Sequence, residues 1–151
     1  MWVLINMKKK ILFLDIDGVV NCSSTTQMHR GCIGIDPYMA FLVGKIQLDT
    51  DCDVVLSSSW RSLPDGTEEV ERQVCKIADI TPHSESCFRG DEIKEWLDKH
   101  PEVEKYAILD DTRDFHPDQK LFKTLWTEGI TKEIAEEVTK YLNEYESKED
   151  K

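Results

Sequence analysis

Three groups of polar residues recur where chemistry could use them. Asp15-Ile16-Asp17-Gly18 follows one apolar run, Ser57-Ser58-Ser59 a second, and Asp110-Asp111 closes a third. Four carboxylates gathered at one edge repel one another unless a cation offsets their charge. A hard ion with oxygen ligands is the usual solution, and Mg²⁺ held by one or two carboxylates plus a substrate phosphate fits best. Strand alternation would point Asp15 and Asp17 to the same side. One could then attack a phosphorus atom while the other carries a proton to and from the leaving oxygen. Gly18 permits a tight turn and a close approach of the backbone to a phosphate. Ser57, with Ser58 beside it, could donate a hydroxyl hydrogen bond to a phosphoryl oxygen. A cation reaching into the cluster would stabilise a covalent intermediate electrostatically.

Each group alone has a plainer meaning: Asp-x-Asp-Gly is a common turn, a serine run caps loops, and Asp110-Asp111 could be a polar strand exit. An EF-hand is excluded, because its loop needs Gly at the sixth position and Glu at the twelfth. The elements around the groups tie them together. Ile11–Leu14, Asp53–Leu56 and Tyr106–Leu109 are short, largely apolar runs that read as strands covered on both faces. Asp36-Pro37 has the form of an N-cap with Pro at the first helical position, opening a helix through about Leu48. Further helices are expected over Thr67–Ala78, over Gly90–His100, and from a cap at Gly129-Ile130-Thr131 through about Tyr145. Residues 21–35 and 81–88 read as loops, and Leu121–Leu125 as a further strand. This alternation predicts one α/β domain over residues 1–151, with its core at about 8–146 and a mostly parallel central sheet. In such sheets ligands lie beyond the carboxyl ends of the strands, which is where all three polar groups fall.

Ile11-Leu-Phe-Leu-Asp15-Ile-Asp17-Gly-Val-Val20 resembles the first motif of the haloacid dehalogenase (HAD) superfamily, Val54-Val-Leu-Ser57 its second, and Tyr106-Ala-Ile-Leu-Asp110-Asp111 its fourth. Ser57-Ser-Ser-Trp-Arg61, Arg89-Gly-Asp-Glu-Ile93 with Trp96-Leu97, and Gly129-Ile-Thr131 are similar to a narrower group, the small HAD-like domains fused to RNA-repair enzymes. The resemblance implies a Rossmann-like three-layer fold without a large cap and a Mg²⁺-dependent phosphatase. Asp15 would be the nucleophile that forms an aspartyl-phosphate, Asp17 the general acid/base, and Ser57 a phosphoryl ligand. The metal would be held by Asp15, the backbone carbonyl of Asp17, and Asp111 or Asp110, with Asp111 favoured by analogy. The superfamily's third motif supplies a cation near a helix start. Arg89 is preferred there over Lys94, since it could join free backbone N–H groups in holding an anion. Arg61 is either a second substrate contact or a surface charge beside a packed Trp60.

Of 151 residues, 30 are Asp or Glu and 19 Lys or Arg, a net charge of −11. That argues against binding an extended nucleic-acid backbone, which needs clustered bases, but does not exclude a single phosphate. No apolar run approaches the roughly 20 residues of a membrane span. The first residues, Met1–Met7, do not form a convincing signal peptide, and Met7 is an alternative initiator. Five cysteines without a CxxC pair suit reduced thiols and a cytoplasmic protein better than a disulfide framework. The four histidines show no ligand spacing, and Trp2, Trp96 and Trp126 read as packing. With little room for an inserted lid, the site should be open. That suits a nucleotide or nucleic-acid end, the alternatives being a small phosphorylated metabolite, with loop 21–35 as a minimal lid, or a non-catalytic module that keeps the fold. A phospho-receiver domain is disfavoured because its middle strand would end in Asp, and here it ends in Ser57. The oligomeric state is left open.

Overall fold

A computed structural model describes residues 8–144. Met1–Met7, with Trp2 and the alternative initiator, lie outside the described residues, as do residues 145–151, including Tyr145 and the end of the expected core. Five strands form one parallel sheet: β1 (Lys9–Leu14), β4 (Asp53–Leu56), β5 (Asp79–Ile80), β6 (Val103–Asp110) and β7 (Leu121–Lys123). Their order across the sheet is β5-β4-β1-β6-β7. Among the described residues four helices flank the sheet: α1 (Pro37–Thr50), α2 (Gly66–Gln73) and α3 (Arg89–Asp98) between strands, and α4 (Lys132–Asn143) after the last. The result is an α/β Rossmann-like domain, as expected. Among the described residues no helix is long and apolar enough to cross a membrane.

Side-chain alternation along the strands sorts the core into two layers. Leu12, Leu14, Val54, Leu56, Ala107 and Leu109 pack with α1 and α4, while Ile11, Phe13, Val55 and Ile108 pack with Ile93 and Trp96 of α3. The register decides what happens at the top of the sheet. Leu14 pairs with Leu56 on one side and Leu109 on the other. The residues that follow, Asp15, Ser57 and Asp110, therefore emerge side by side. They continue the Phe13, Val55 and Ile108 rows, toward the face that α3 covers.

The helix ends show their causes. Asp36 caps α1, its carboxylate accepting from the N–H groups of Tyr38 and Met39, and Pro37 occupies the first turn. α1 runs two residues beyond the expected end, to Thr50, and stops at Asp51 in the left-handed region. Thr131 caps α4 through the N–H of Ile134. α2 is shorter than its spacing predicts, ending at Gln73 instead of Ala78. The N–H of Ala78 donates to Val54 O, so this segment leaves the helix to extend the sheet as β5, an edge strand with no apolar signature. The segment 21–35 is not wholly a loop: β2 (Met28–His29) and β3 (Cys32–Ile33) make a small hairpin around Arg30-Gly31, both with positive φ. This hairpin is the regular structure between β1 and α1, and its His29 stacks on Trp60. Trp96 packs as expected, edge-on to Phe13. Trp126 does not; it is 42% exposed.

Candidate active site

Asp15, Asp110 and Asp111 each offer a carboxylate oxygen within 4.8 Å of the others. Asp15 and Asp110 are buried. Burial, and then repulsion from Asp110, hold Asp15 well above the usual carboxylate range, against the opposing pull of Arg89. Asp110 is raised too, again chiefly by burial, although Oδ1 accepts from both the N–H and the hydroxyl of Thr112 at 3.0 Å. Such a cluster is costly without a cation, and its donors are all hard oxygen. Gly18 makes the cluster possible. Its φ is +85°, and a Cβ there would lie 2.2 Å from Asp111 Oδ2.

The turn after Asp15 separates the two aspartates of the first motif. The N–H groups of Val19 and Val20 both donate to Ile16 O, so strand alternation ends before Asp17. The Asp17 carboxylate is exposed and lies outside the triad. Its Oδ1 accepts from Asn21 Nδ2 at 2.9 Å and from Trp60 Nε1 at 3.3 Å, which leaves Oδ2 to exchange a proton. Of the four carboxylates expected at this edge, three lie together among the described residues, and Asp17 can add only its backbone carbonyl, as the resemblance implies. Gly18 takes the expected tight turn but not the expected approach to a phosphate. Its N–H donates to Asn21 Oδ1 and its carbonyl accepts from Thr124, so it makes room for Asp111 and has no free N–H for a phosphate.

Around Asp15 stand donors without acceptors. Ser57 Oγ is buried with no hydrogen-bond partner, and so is Arg89 Nη1. The latter lies 3.7 Å from both Asp15 Oδ1 and Asp110 Oδ2, beyond hydrogen-bond reach. An unmade hydrogen bond of a buried group costs about 1–3 kcal/mol. Ser58 is different: its Oγ accepts from Trp60 N–H and caps the short 3₁₀ turn Ser59–Ser62. Lys94 pairs with Asp98 on the exposed face of α3, so of the two candidate cations it is Arg89 that lies against the cluster. The expected free N–H groups at the start of α3 are not free. Asp114 takes them, with Oδ2 accepting from Arg89 N–H and its carbonyl from Gly90 N–H. Arg61 is no surface charge; its side chain is 3% exposed and ion-paired to Glu92.

Residues 11–135 match the family described as the HAD domain in Swiss Army Knife RNA repair proteins. The chain belongs to this family. No curated protein and no solved structure matches it. The HAD assignment points to a phosphatase-like chemistry for this domain. Four further residues contact the candidate site residues without having been singled out for it in the sequence. Glu92 is three residues after Arg89, a spacing that puts both on one face of α3 and could have flagged it. Asn21, four residues after Asp17, carried a weaker sign as an Asn just beyond a tight turn. Trp60 stood within a motif but read only as packing, and Asp114 carried no sign, because what they touch is distant in sequence.

Proposed function

We propose that this HAD domain is a Mg²⁺-dependent phosphomonoesterase that works through an aspartyl-phosphate on Asp15. The observation that carries this reading is the pairing of a three-carboxylate cluster with the unpartnered buried donors Ser57 Oγ and Arg89 Nη1 beside it. The cluster fits a hard cation, held by Asp15, Asp111, Asp110 and the backbone carbonyl of Asp17. A bound Mg²⁺ would offset the charge shared by these carboxylates and the phosphoryl oxygens. An Asp15 oxygen attacks phosphorus and the P–O bond to the leaving alcohol breaks, with Asp17 Oδ2 giving that oxygen its proton. A water then attacks the acyl phosphate, Asp17 takes the water's proton, and phosphate leaves Asp15 free. Ser57 and Arg89 hold the oxygens on which charge builds.

The substrate we infer is a phosphorylated nucleotide or nucleic-acid end. The family's place in RNA repair proteins supports it, as does the short β1–α1 connection, which holds a small hairpin in place of an inserted cap domain that would enclose a substrate. A net charge of −11 restricts recognition to the terminal phosphate and its nearest neighbours. The spacing of the cysteines supports a cytoplasmic setting. Hydrolysis of a generic aryl phosphate, with and without Mg²⁺, by wild type and Asp15→Asn tests the chemistry. Turnover by the wild type with Mg²⁺ and none by the variant is expected; equal rates would sink the assignment of Asp15.

A further inference from the structure

Two arginines from distant parts of the chain share one buried carboxylate. Arg61, in the 3₁₀ turn after β4, donates from Nη2 to Glu92 Oε1 at 2.9 Å. Arg89 Nε, from the first turn of α3, lies 3.4 Å from the same oxygen. The other oxygen of Glu92 accepts from Ser84 N–H at 3.2 Å, which fixes the carboxylate from behind. Arg61 is held further by Ser58, whose carbonyl accepts from Nη1 at 2.8 Å, and by His83. Arginine nitrogens only donate, so His83 Nδ1 accepts from Arg61 and Nε2–H donates to Ser62 Oγ.

An ion pair built only for stability would use its donors. This one does not. Two guanidinium groups share Glu92, and Arg89 Nη1 faces Asp15 and Asp110 at 3.7 Å without reaching hydrogen-bond distance to either. Arg61 Nε is buried and unpartnered, as are Arg89 Nη1 and Ser57 Oγ. Burial destabilises the charged form of Arg61, and the neighbouring Arg89 adds to that, with Glu92 opposing both. Three unfilled donors from three elements describe a receptor for a tetrahedral oxyanion.

We propose that Arg61 and Arg89 form a two-cation clamp on the phosphoryl group, with Ser57 as its third donor and Glu92 as the positioning residue that aims both guanidinium groups. This rests on the reading of Asp15 as the phosphoryl acceptor. The clamp divides the work between a charge from the first turn of α3 (Arg89) and one from the turn after β4 (Arg61). A phosphoryl dianion, with charge to share between two guanidinium groups, fits it better than a phosphodiester monoanion.

Titration calorimetry with inorganic phosphate in Mg²⁺ buffer tests the clamp, run beside aryl phosphate turnover. Arg61→Ala should weaken phosphate binding about tenfold or more, equivalent to ~1.4 kcal/mol for each factor of ten. Added guanidinium ion should restore part of that binding in Arg61→Ala and none in the wild type, a response that a purely structural role would not give. Should Arg61→Ala melt before it can be titrated, Arg61→Lys keeps the charge and the stem. It should bind phosphate several-fold more weakly, because a point charge cannot reproduce the fork. Wild-type affinity in both variants, loss of affinity without any guanidinium response, or a wild type that binds no phosphate would each overturn the clamp. A wild type that turns over while Arg61→Ala binds normally removes the clamp and leaves the hydrolase. A wild type that binds phosphate through Arg61 without turnover does the reverse.

Discussion

The indole N–H of Trp60 donates to Asp17 Oδ1 at 3.3 Å, joining the turn after β4 to the turn after β1. The ring also stacks on His29 of the hairpin, with centroids 5.4 Å apart and planes at 22°. His29 in turn lies against Asp65 and Glu69, at 3.2 and 3.6 Å. The proposed proton carrier is thus oriented by a residue that the hairpin itself holds down. Trp60→Phe keeps the stacking surface and removes only the donor. A neutral hydrogen bond contributes about 0.5–1.5 kcal/mol net, so kcat on an aryl phosphate should fall about three- to tenfold. KM should barely move, because the substrate contacts remain. An unchanged kcat would show that Asn21 orients Asp17 alone.

Lys94 and Arg89 lie on the same helix with opposite surroundings. Lys94→Ala removes one exposed, solvent-screened pair with Asp98 and should leave kcat/KM within about twofold. Arg89→Ala removes a donor from beside Asp15 and should lower kcat ~100-fold or more, the usual effect of deleting one oxyanion ligand. Steady-state kinetics on the two variants check the contrast. Similar losses in both would return the third-motif role to Lys94.

The sheet could be read from the chain because its three central strands are continuous apolar runs with polar exits, and the convergence of those exits followed from the topology of parallel sheets. The pairing of Leu14 with Leu56 and Leu109 sharpened that into adjacency of Asp15, Ser57 and Asp110. What stayed hidden was tertiary. β5 is two exposed residues that extend because Val54 O accepts from Ala78, which no local pattern records. Asp17 left the carboxylate cluster because the Ile16 turn interrupts strand alternation. Trp60, Asp114 and the Arg61–Glu92 pair act across 25 to 43 residues, so their roles depend on packing.

Gly18 tests how tightly the cluster is built. At φ +85° any L-residue is strained, and the Cβ of Gly18→Ala would overlap the Asp111 carboxylate. The substitution should cost about 2 kcal/mol or more through backbone strain alone. It should also displace Asp111, so the variant should lose both thermal stability and its response to Mg²⁺. A variant that melts lower but still gains the full Mg²⁺ stabilisation would mean that Asp111 is not a ligand.

Metal and pH should act on the same carboxylates in opposite ways. Asp15 and Asp110 have folded pKa values above their unfolded ones, by burial first. For an acid shifted upward, the stabilising contribution is fully present below the unfolded pKa, about 3.9 for Asp, and is lost as pH rises through the folded value. Without metal, the protein at neutral pH therefore carries a penalty from these two groups. Asp110→Asn keeps an oxygen for Thr112 and removes one charge. In EDTA it should melt higher than wild type at pH 7, with the gap closing as pH falls toward 4. Mg²⁺ should reverse the ranking. At about a hundred times its Kd it adds ~2.7 kcal/mol, roughly 5–10 °C for a domain of this size, and Asp110→Asn should gain less. Melting curves at pH 4.5 and 7, with EDTA or Mg²⁺, give all four comparisons. An Asp110→Asn protein less stable than wild type in EDTA at pH 7 would mean that Arg89 already compensates the cluster without a metal.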